Sequence, residues 1–348
     1  MAIHKIILIG EFRFGFYEAA FSSSLKKAGL DVIEVPITFT SVFSFLYKVE
    51  LYFTIIGPIT NFFYKKLNKI VFNNQPQLIF FWRPTQITPF LVNSLRQQYP
   101  SALLVSYNND NPFGKEYQRG SGNLKRLWNN FISSIPAFDI NIVYRKSNIL
   151  DYQLVGSKNT LLFPPAFIPS AIPDFEDIDY KYDVVFIGYS EKKRINYLNC
   201  LIAAGVNVKI YGTGWNIQNL HPSYPYAEIH SVHGSGYFRC LREGRINIAF
   251  LSDLNEDVYT RRNFEIPGMG GLMLSERTEE LLSFFEEGKE AFFFSTQEEL
   301  LECVHFILAN PAIQNQVRKA AKKKSYSAGY DLDSRVNKLL SELIPFCE

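Results

Sequence analysis

Short, mostly apolar runs recur along this chain, each followed by a longer amphipathic stretch. The first series is KIILIG (5–10), DVIEVP (31–36), QLIFFW (77–82), ALLVSY (102–107), DINIVY (139–144) and TLLFPP (160–165). The second is YDVVFIG (182–188), VNVKIYG (206–212), INIAFL (246–251), GLMLSE (271–276) and AFFFS (291–295). A run without polar alternation has no wet face. It reads as a parallel strand buried on both sides, with the intervening segments as covering helices. This restricts the chain to an α/β class with two Rossmann-like domains in tandem. Between the series, PPAFIPSAIPDFEDIDYKY (164–182) holds four prolines and an acidic cluster, which preclude a regular helix. The expected organisation is a first domain over 1–168, a linker over 169–180, a second domain over 181–328, and a terminal helix over 329–348 packing back on the first domain. In the second domain EKKRINYLNCLIAAG (191–205) reads as a helix closed by Gly205, and Thr296 with Glu299 as a capping box.

Composition narrows the function. The 348 residues suit two domains, and 47% apolar content excludes a disordered chain. Four cysteines without a CxxC pair and five histidines without HExxH spacing argue against a zinc site or a disulfide framework, and fit a reducing, cytoplasmic setting. KIILIG is too short for a secretory leader, and LYFTIIGPITNFF (51–63) is shorter than a membrane span and interrupted by Gly57-Pro58. Residues 1–170 carry 17 Lys and Arg against 9 Asp and Glu, whereas residues 171–348 carry 19 against 25. The basic, aromatic first half suits an anionic partner or membrane face, or is a solvated surface of no special role. The aromatic segment 39–72 likewise reads as core helices with snorkelling lysines, or as a membrane-surface element, with core helices favoured. No nucleic-acid partner is expected.

Chemistry is expected in loops beyond the strand carboxyl ends. In the first domain these hold Gly10, Glu11 and Phe12 of GEFRFG, Arg83, and Asn109 and Asp110 of YNNDNPFG. GEFRFG is not GxGxxG, so a dinucleotide cofactor is not indicated, although Asp31 or Glu34 lies near the spacing of a ribose acid. Asp110 is a candidate general base, but Asn, Asp, Pro and Gly in its loop also make an ordinary turn. In the second domain the loops hold Gly188, Lys193 and Arg194 of GYSEKKR, Gly212 and Gly214 of YGTGW, and TRRNFEIPGMGG (260–271). A helix starting near Arg262 aims a guanidinium fork at an anion, sets Glu265 one turn on to accept from a diol, and keeps Pro267 in its tolerant first turn. Gly268, Gly270 and Gly271 then end the helix and admit a close backbone approach. Asp257, eight positions before Glu265, is a second carboxylate. The role of Arg261 stays open between a phosphate contact and a surface charge.

R-x-F-E-I-P-x-x-G-G from Arg262 to Gly271, followed by LML and EEGKEAFFFSTQEELLECVHFILANP, resembles the C-terminal domain of CgeB-type, spore-maturation-like glycosyltransferases of the GT-B group. YDVVFIGYSEKKR, KIYGTGW and GYDLDSRVNKLL are similar to the same family, and PQLIFFWRP and YNNDNP to its more variable half. The resemblance implies two Rossmann-like domains facing a central cleft, the first binding the acceptor and the second a nucleotide sugar. It makes Glu265 the ribose carboxylate, Arg262 a diphosphate partner aided by Arg194, and Gly188, Gly212, Gly214, Gly270 and Gly271 donor-side backbone. Gly10, Glu11, Phe12, Arg83 and Asn109 fall on the acceptor side. Asp257 stands where retaining relatives carry the first acid of an E-x7-E pair. No cofactor or bound metal is implied. A sugar-nucleotide epimerase or phosphorylase of the same fold, or a non-catalytic glycan- or nucleotide-binding relative, stays open beside the transferase.

Overall fold

A computed structural model describes residues 3–37, 57–85, 87–114, 122–174, 180–253 and 255–347, with residues 45, 46, 48–50 and 53. Two compact units result. Unit 1 gathers residues 1–164, 254–256 and 332–348, and unit 2 gathers residues 165–253 and 257–331.

Unit 1 is a six-stranded parallel sheet of β1 (Lys5–Gly10), β2 (Asp31–Pro36), β3 (Leu78–Trp82), β4 (Leu103–Asn108), β5 (Ile140–Val143) and β6 (Thr160–Leu162), in the order β2-β1-β3-β4-β5-β6. Unit 2 is a five-stranded parallel sheet of β7 (Tyr182–Ile187), β8 (Val208–Tyr211), β9 (Gly244–Ala249), β10 (Met273–Glu276) and β11 (Phe292–Phe294), in the order β11-β10-β9-β7-β8. Every expected strand is present, with ends shifted by at most three residues. In both sheets the first strand lies between the second and third, so the direction of winding reverses at β1/β3 and at β7/β9.

Alternate residues of each strand feed opposite layers. In unit 2, Val184, Phe186, Ile246, Ile248, Leu272 and Leu274 pack against Leu198, Leu201 and Ile202 of helix Lys192–Ala203 and Leu300 and Val304 of helix Gln297–Ala309. In unit 1, Ile7, Ile9, Ile79, Phe81 and Leu104 meet Phe63 and Leu67 of helix Pro58–Asn74 and Leu91 and Leu95 of helix Pro89–Gln98. The Thr296 hydroxyl caps Glu299 N–H at 3.2 Å, but the Glu299 carboxylate accepts from Ser295 N–H at 2.7 Å and pairs with Arg277, so the box closes one residue early. Of the 39–72 segment, residues 39–44, 47, 51, 52 and 54–56 lie outside the described residues, as do 175–179 of the linker. Among the described residues no helix is long and apolar enough to cross a membrane.

Helix Leu332–Leu343 belongs to unit 1 and packs on helix Glu18–Lys27. Asp333 accepts from Ser24 Oγ at 2.7 Å and from Lys27 Nζ at 2.9 Å, and Val336, Leu339 and Leu343 are buried. Leu339→Ala is therefore expected to lower unit 1 stability by about 2–5 kcal/mol. Urea titration followed by Trp82 and Trp128 fluorescence in a Trp215→Phe background reads this, and an unmoved midpoint would contradict the packing.

Candidate functional site

Open parallel sheets bind ligands beyond their strand carboxyl ends, where the winding reverses. In unit 2 the loops after β7 and β9 occupy that place. Arg194, in the first turn of helix Lys192–Ala203, is 3% exposed. Its Nη1 donates to the Tyr189 carbonyl at 2.9 Å, its Nη2 pairs with Glu191 at 2.8 Å, and its Nε is buried without a hydrogen-bond partner. Arg262 opens helix Arg262–Gly268. It makes no hydrogen bond or ion pair among the described residues, and its Nε is shut from solvent. Burial, followed by the charge of Arg262, holds the Arg194 pKa below its ordinary value. Two guanidinium groups in one field, each with a buried unsatisfied donor, suit an anion.

Glu265 is 4% exposed and ion-paired with Arg261, one helical turn earlier. Tyr237 of helix Gly234–Arg242 donates its hydroxyl to Glu265 Oε2 at 2.8 Å. Burial and the Glu265 charge push the Tyr237 pKa well above its usual value, so the hydroxyl remains a donor. Arg261 is thus not a bare surface charge: it pairs with Glu265. The i,i+4 spacing was the available signal for this pair. Tyr237, in another helix, had none. Asn263 fixes the helix: its side chain accepts from Thr260 N–H at 2.7 Å and donates to Ser275 Oγ at 2.8 Å, which donates to the Ala249 carbonyl at 3.0 Å.

Pro267 falls in the last turn of the seven-residue helix, not the first. The helix starts at Arg262 and is short, so the lost N–H lies just before the terminus. There Gly271 N–H bonds Ile266 O at 2.8 Å and Gly270 N–H bonds Pro267 O at 2.9 Å, a Schellman closure with Gly270 at φ +83°. The glycines expected to face a donor mostly face protein. A Cβ on Gly188 would meet the Phe186 ring at 2.6 Å, on Gly214 the Tyr189 ring at 2.7 Å, and on Gly271 the Ile266 side chain at 3.0 Å. Gly212, at φ +136°, would set a Cβ 1.9 Å from the Gly188 carbonyl oxygen, which also accepts from Trp215 Nε1 at 2.9 Å. The loops after β7 and β8 are thereby pressed together. Lys193 is engaged by Glu276 at 2.8 Å and by Asp253. Asp257 Oδ2 accepts from Ser252 N–H at 3.3 Å, closing the loop after β9 within the field of Arg194.

Unit 1 has its own pocket at the β1/β3 reversal, about 210 Å³ in volume. Glu11, Arg83, Asn109 and Asp110, expected on the acceptor side or as a base, line it together. Trp82, from the turn with Arg83 that the sequence singles out, joins them, as do Tyr17 and Glu18, unseen in the sequence because they depend on β1 lying beside β3. Arg83 Nε donates to Asp110 Oδ2 at 2.5 Å, and its guanidinium lies 5.8 Å from the Trp128 ring centre. Phe12 and Arg83 take left-handed backbone, φ +52° and +47°. Gly10 is packed against Glu18, whose Cγ would lie 2.7 Å from an added Cβ. Glu18 itself is 5% exposed and accepts from Glu11 N–H at 3.0 Å; burial raises its pKa against that hydrogen bond.

A family model described as glycosyl transferase-like matches residues 194–341, from Arg194 through the Arg262–Gly271 motif. Comparison with curated proteins finds no match. Among solved structures, sucrose-phosphate synthase from Thermosynechococcus elongatus aligns over 99% of both chains at 13% identity, TM-score 0.70. HepE from Anabaena, solved with UDP-glucose, aligns over 98% of this chain and 99% of its own at 12% identity, TM-score 0.66. A putative UDP-N-acetylglucosamine 2-epimerase from Listeria monocytogenes aligns over 98% and 95% at 14% identity, TM-score 0.54. The fold is GT-B.

Among the described residues no group of three or more His, Cys, Asp or Glu side chains is arranged to hold a metal ion. The loop geometry predicts a clear order of glycine sensitivity. Gly212→Ala, clashing with backbone as well as straining it, is expected to cost on the order of 3 kcal/mol or more. Gly270→Ala, with no atom nearer than 3.5 Å to its Cβ, is expected to cost about 1 kcal/mol. Thermal denaturation of the two variants decides it; equal losses would refute the loop contact.

Proposed function

We propose that the protein is a glycosyltransferase moving a sugar from a nucleoside-diphosphate donor to a saccharide or other acceptor. The observation that carries this reading is the buried, unpartnered Nε of Arg262 in the same short helix as the fixed carboxylate of Glu265, with Arg194 feeling its charge. As the bond from the anomeric carbon to the diphosphate breaks, negative charge grows on the leaving oxygens. Arg262, with Arg194 behind it, stabilises that charge without needing a bound metal. Glu265 holds the ribose diol: Arg261 and Tyr237 each take one lone pair, and a carboxylate has about four to offer. In unit 1 the pocket takes the acceptor against the Tyr17 and Trp82 rings. Asp110 is the base if the reaction inverts, through Oδ1, since Oδ2 is engaged by Arg83. If it retains, Asp257 gains weight. The match of residues 194–341 to a glycosyl transferase-like model supports the reading, as does the likeness to HepE, itself solved with UDP-glucose. Within that class we assign the chain to the CgeB-type subgroup on its Arg262–Gly271 motif.

The likeness to a putative UDP-N-acetylglucosamine 2-epimerase favours a second reading, in which the donor alone is converted. Product analysis with donor but no acceptor separates the two: a new sugar nucleotide indicates epimerisation, and turnover only with acceptor indicates transfer. Both readings need a nucleotide site, so no heat of binding from UDP-, GDP-, dTDP- or CMP-sugars would refute both.

The two neighbouring arginines are expected to behave oppositely. Arg262→Ala should weaken nucleotide binding about 10- to 100-fold, the loss of one charge-assisted contact, while the ligand-free melting temperature holds or rises. Arg261→Ala should destabilise the ligand-free protein by about 3 kcal/mol, because it leaves Glu265 buried with the Tyr237 hydroxyl but without its ion pair. Calorimetric titration and thermal melts on both variants test this. Unchanged nucleotide affinity in Arg262→Ala would remove Arg262 from the site.

A further inference from the structure

Helix Pro58–Asn74 buries Phe63, Tyr64, Leu67 and Val71 in the unit 1 core. Its opposite face is unlike an ordinary solvated surface. Phe62 is 69% exposed and Phe72 67%, and Lys65, Lys66 and Lys69 stand exposed between them. At 3.6 residues per turn these five fall within an arc of about 120°. The helix carries no Asp or Glu. The carboxylate of Glu50 is spent on the helix start, accepting from Ile59 N–H at 3.0 Å, Thr60 N–H at 2.8 Å and Thr60 Oγ1 at 2.7 Å. That cap ties Glu50 to the helix N-terminus, and among the described residues just before it Phe45 is 67% exposed with Lys48 and Val49 also exposed.

We infer that this face docks unit 1 onto a membrane surface carrying anionic lipid headgroups. The charge pattern selects that occupant. A row of lysines with no acid among them matches a negatively charged plane, and the phenyl rings at its ends are the residues that enter the headgroup and acyl boundary. Phe62 and Phe72 are ten residues apart, about 15 Å along the axis, so both can insert while the lysines stay at headgroup level. Bearing three lysines over 17 residues, the helix lies on a bilayer and does not cross it. The inference goes beyond the transferase reading and does not depend on it.

Sedimentation with sucrose-loaded vesicles tests it, using phosphatidylcholine alone and phosphatidylcholine with a third phosphatidylglycerol. The protein is expected to pellet with the anionic vesicles, and less so as salt rises. Changing Lys65, Lys66 and Lys69 together to Gln should lower the partition coefficient on the order of 100-fold, roughly fivefold per lysine. Phe62→Ser with Phe72→Ser should lower it about tenfold or more at an unchanged melting temperature. Failure to pellet with either vesicle would overturn the inference, as would equal pelleting with both. A changed sedimentation coefficient of the lipid-free Phe62→Ser protein would also overturn it, marking the face as a contact between copies. Nucleotide titration of the same variants gives an independent readout, so loss of vesicle binding is not confused with failure of the transferase reading.

Discussion

A parallel strand covered on both faces can satisfy its backbone only through neighbouring strands and its side chains only through helices above and below. Both sheets here obey that constraint, and it leaves the carboxyl ends of the strands as the place where polar side chains gather. The reversal of winding at β7/β9 opens the loops that carry Arg194, Arg262 and Glu265, and the reversal at β1/β3 opens those that carry Glu11, Arg83 and Asp110.

Within unit 2 the charges divide into two groups. Glu265 is too deeply set to stand alone, and Arg261 and Tyr237 hold it as an oriented, neutralised carboxylate. Arg262 lies one position away and makes no hydrogen bond or ion pair among the described residues, while Arg194 uses both terminal nitrogens to hold the loop after β7 and keeps its Nε unpaired. Adjacent arginines therefore serve opposite ends. One stabilises the folded protein. The other keeps a buried Nε without a hydrogen-bond partner.

Unit 1 concentrates backbone strain instead. Phe12 and Arg83 hold left-handed conformations that side chains rarely adopt, at about 1–3 kcal/mol each, in the loops after β1 and β3. Arg83 is over-determined by Asp110 and by the Trp128 ring, and the Phe12 loop by the Glu18 carboxylate beneath it. Strain sustained at the rim of a pocket is typical of a ligand site rather than of a passive turn.

The sequence by itself determined the fold class and all eleven strands, because short Val-, Ile-, Leu- and Phe-rich runs alternating with amphipathic helices fit a parallel sheet covered by those helices. It also located helix Arg262–Gly268 and its glycine closure, since those are set by local chemistry over a dozen residues. Only the tertiary structure decided what each polar group meets. That Tyr237 holds Glu265, that Gly212 makes way for the Gly188 carbonyl, and that Trp82 and Tyr17 wall one pocket with Asp110 are contacts between segments far apart in the chain. The aromatic stretch around Phe62 was open to two readings for the same reason. Periodicity shows that a helix has two faces, but packing against β1 and β3 decides which face is buried and leaves Phe62 and Phe72 in the open.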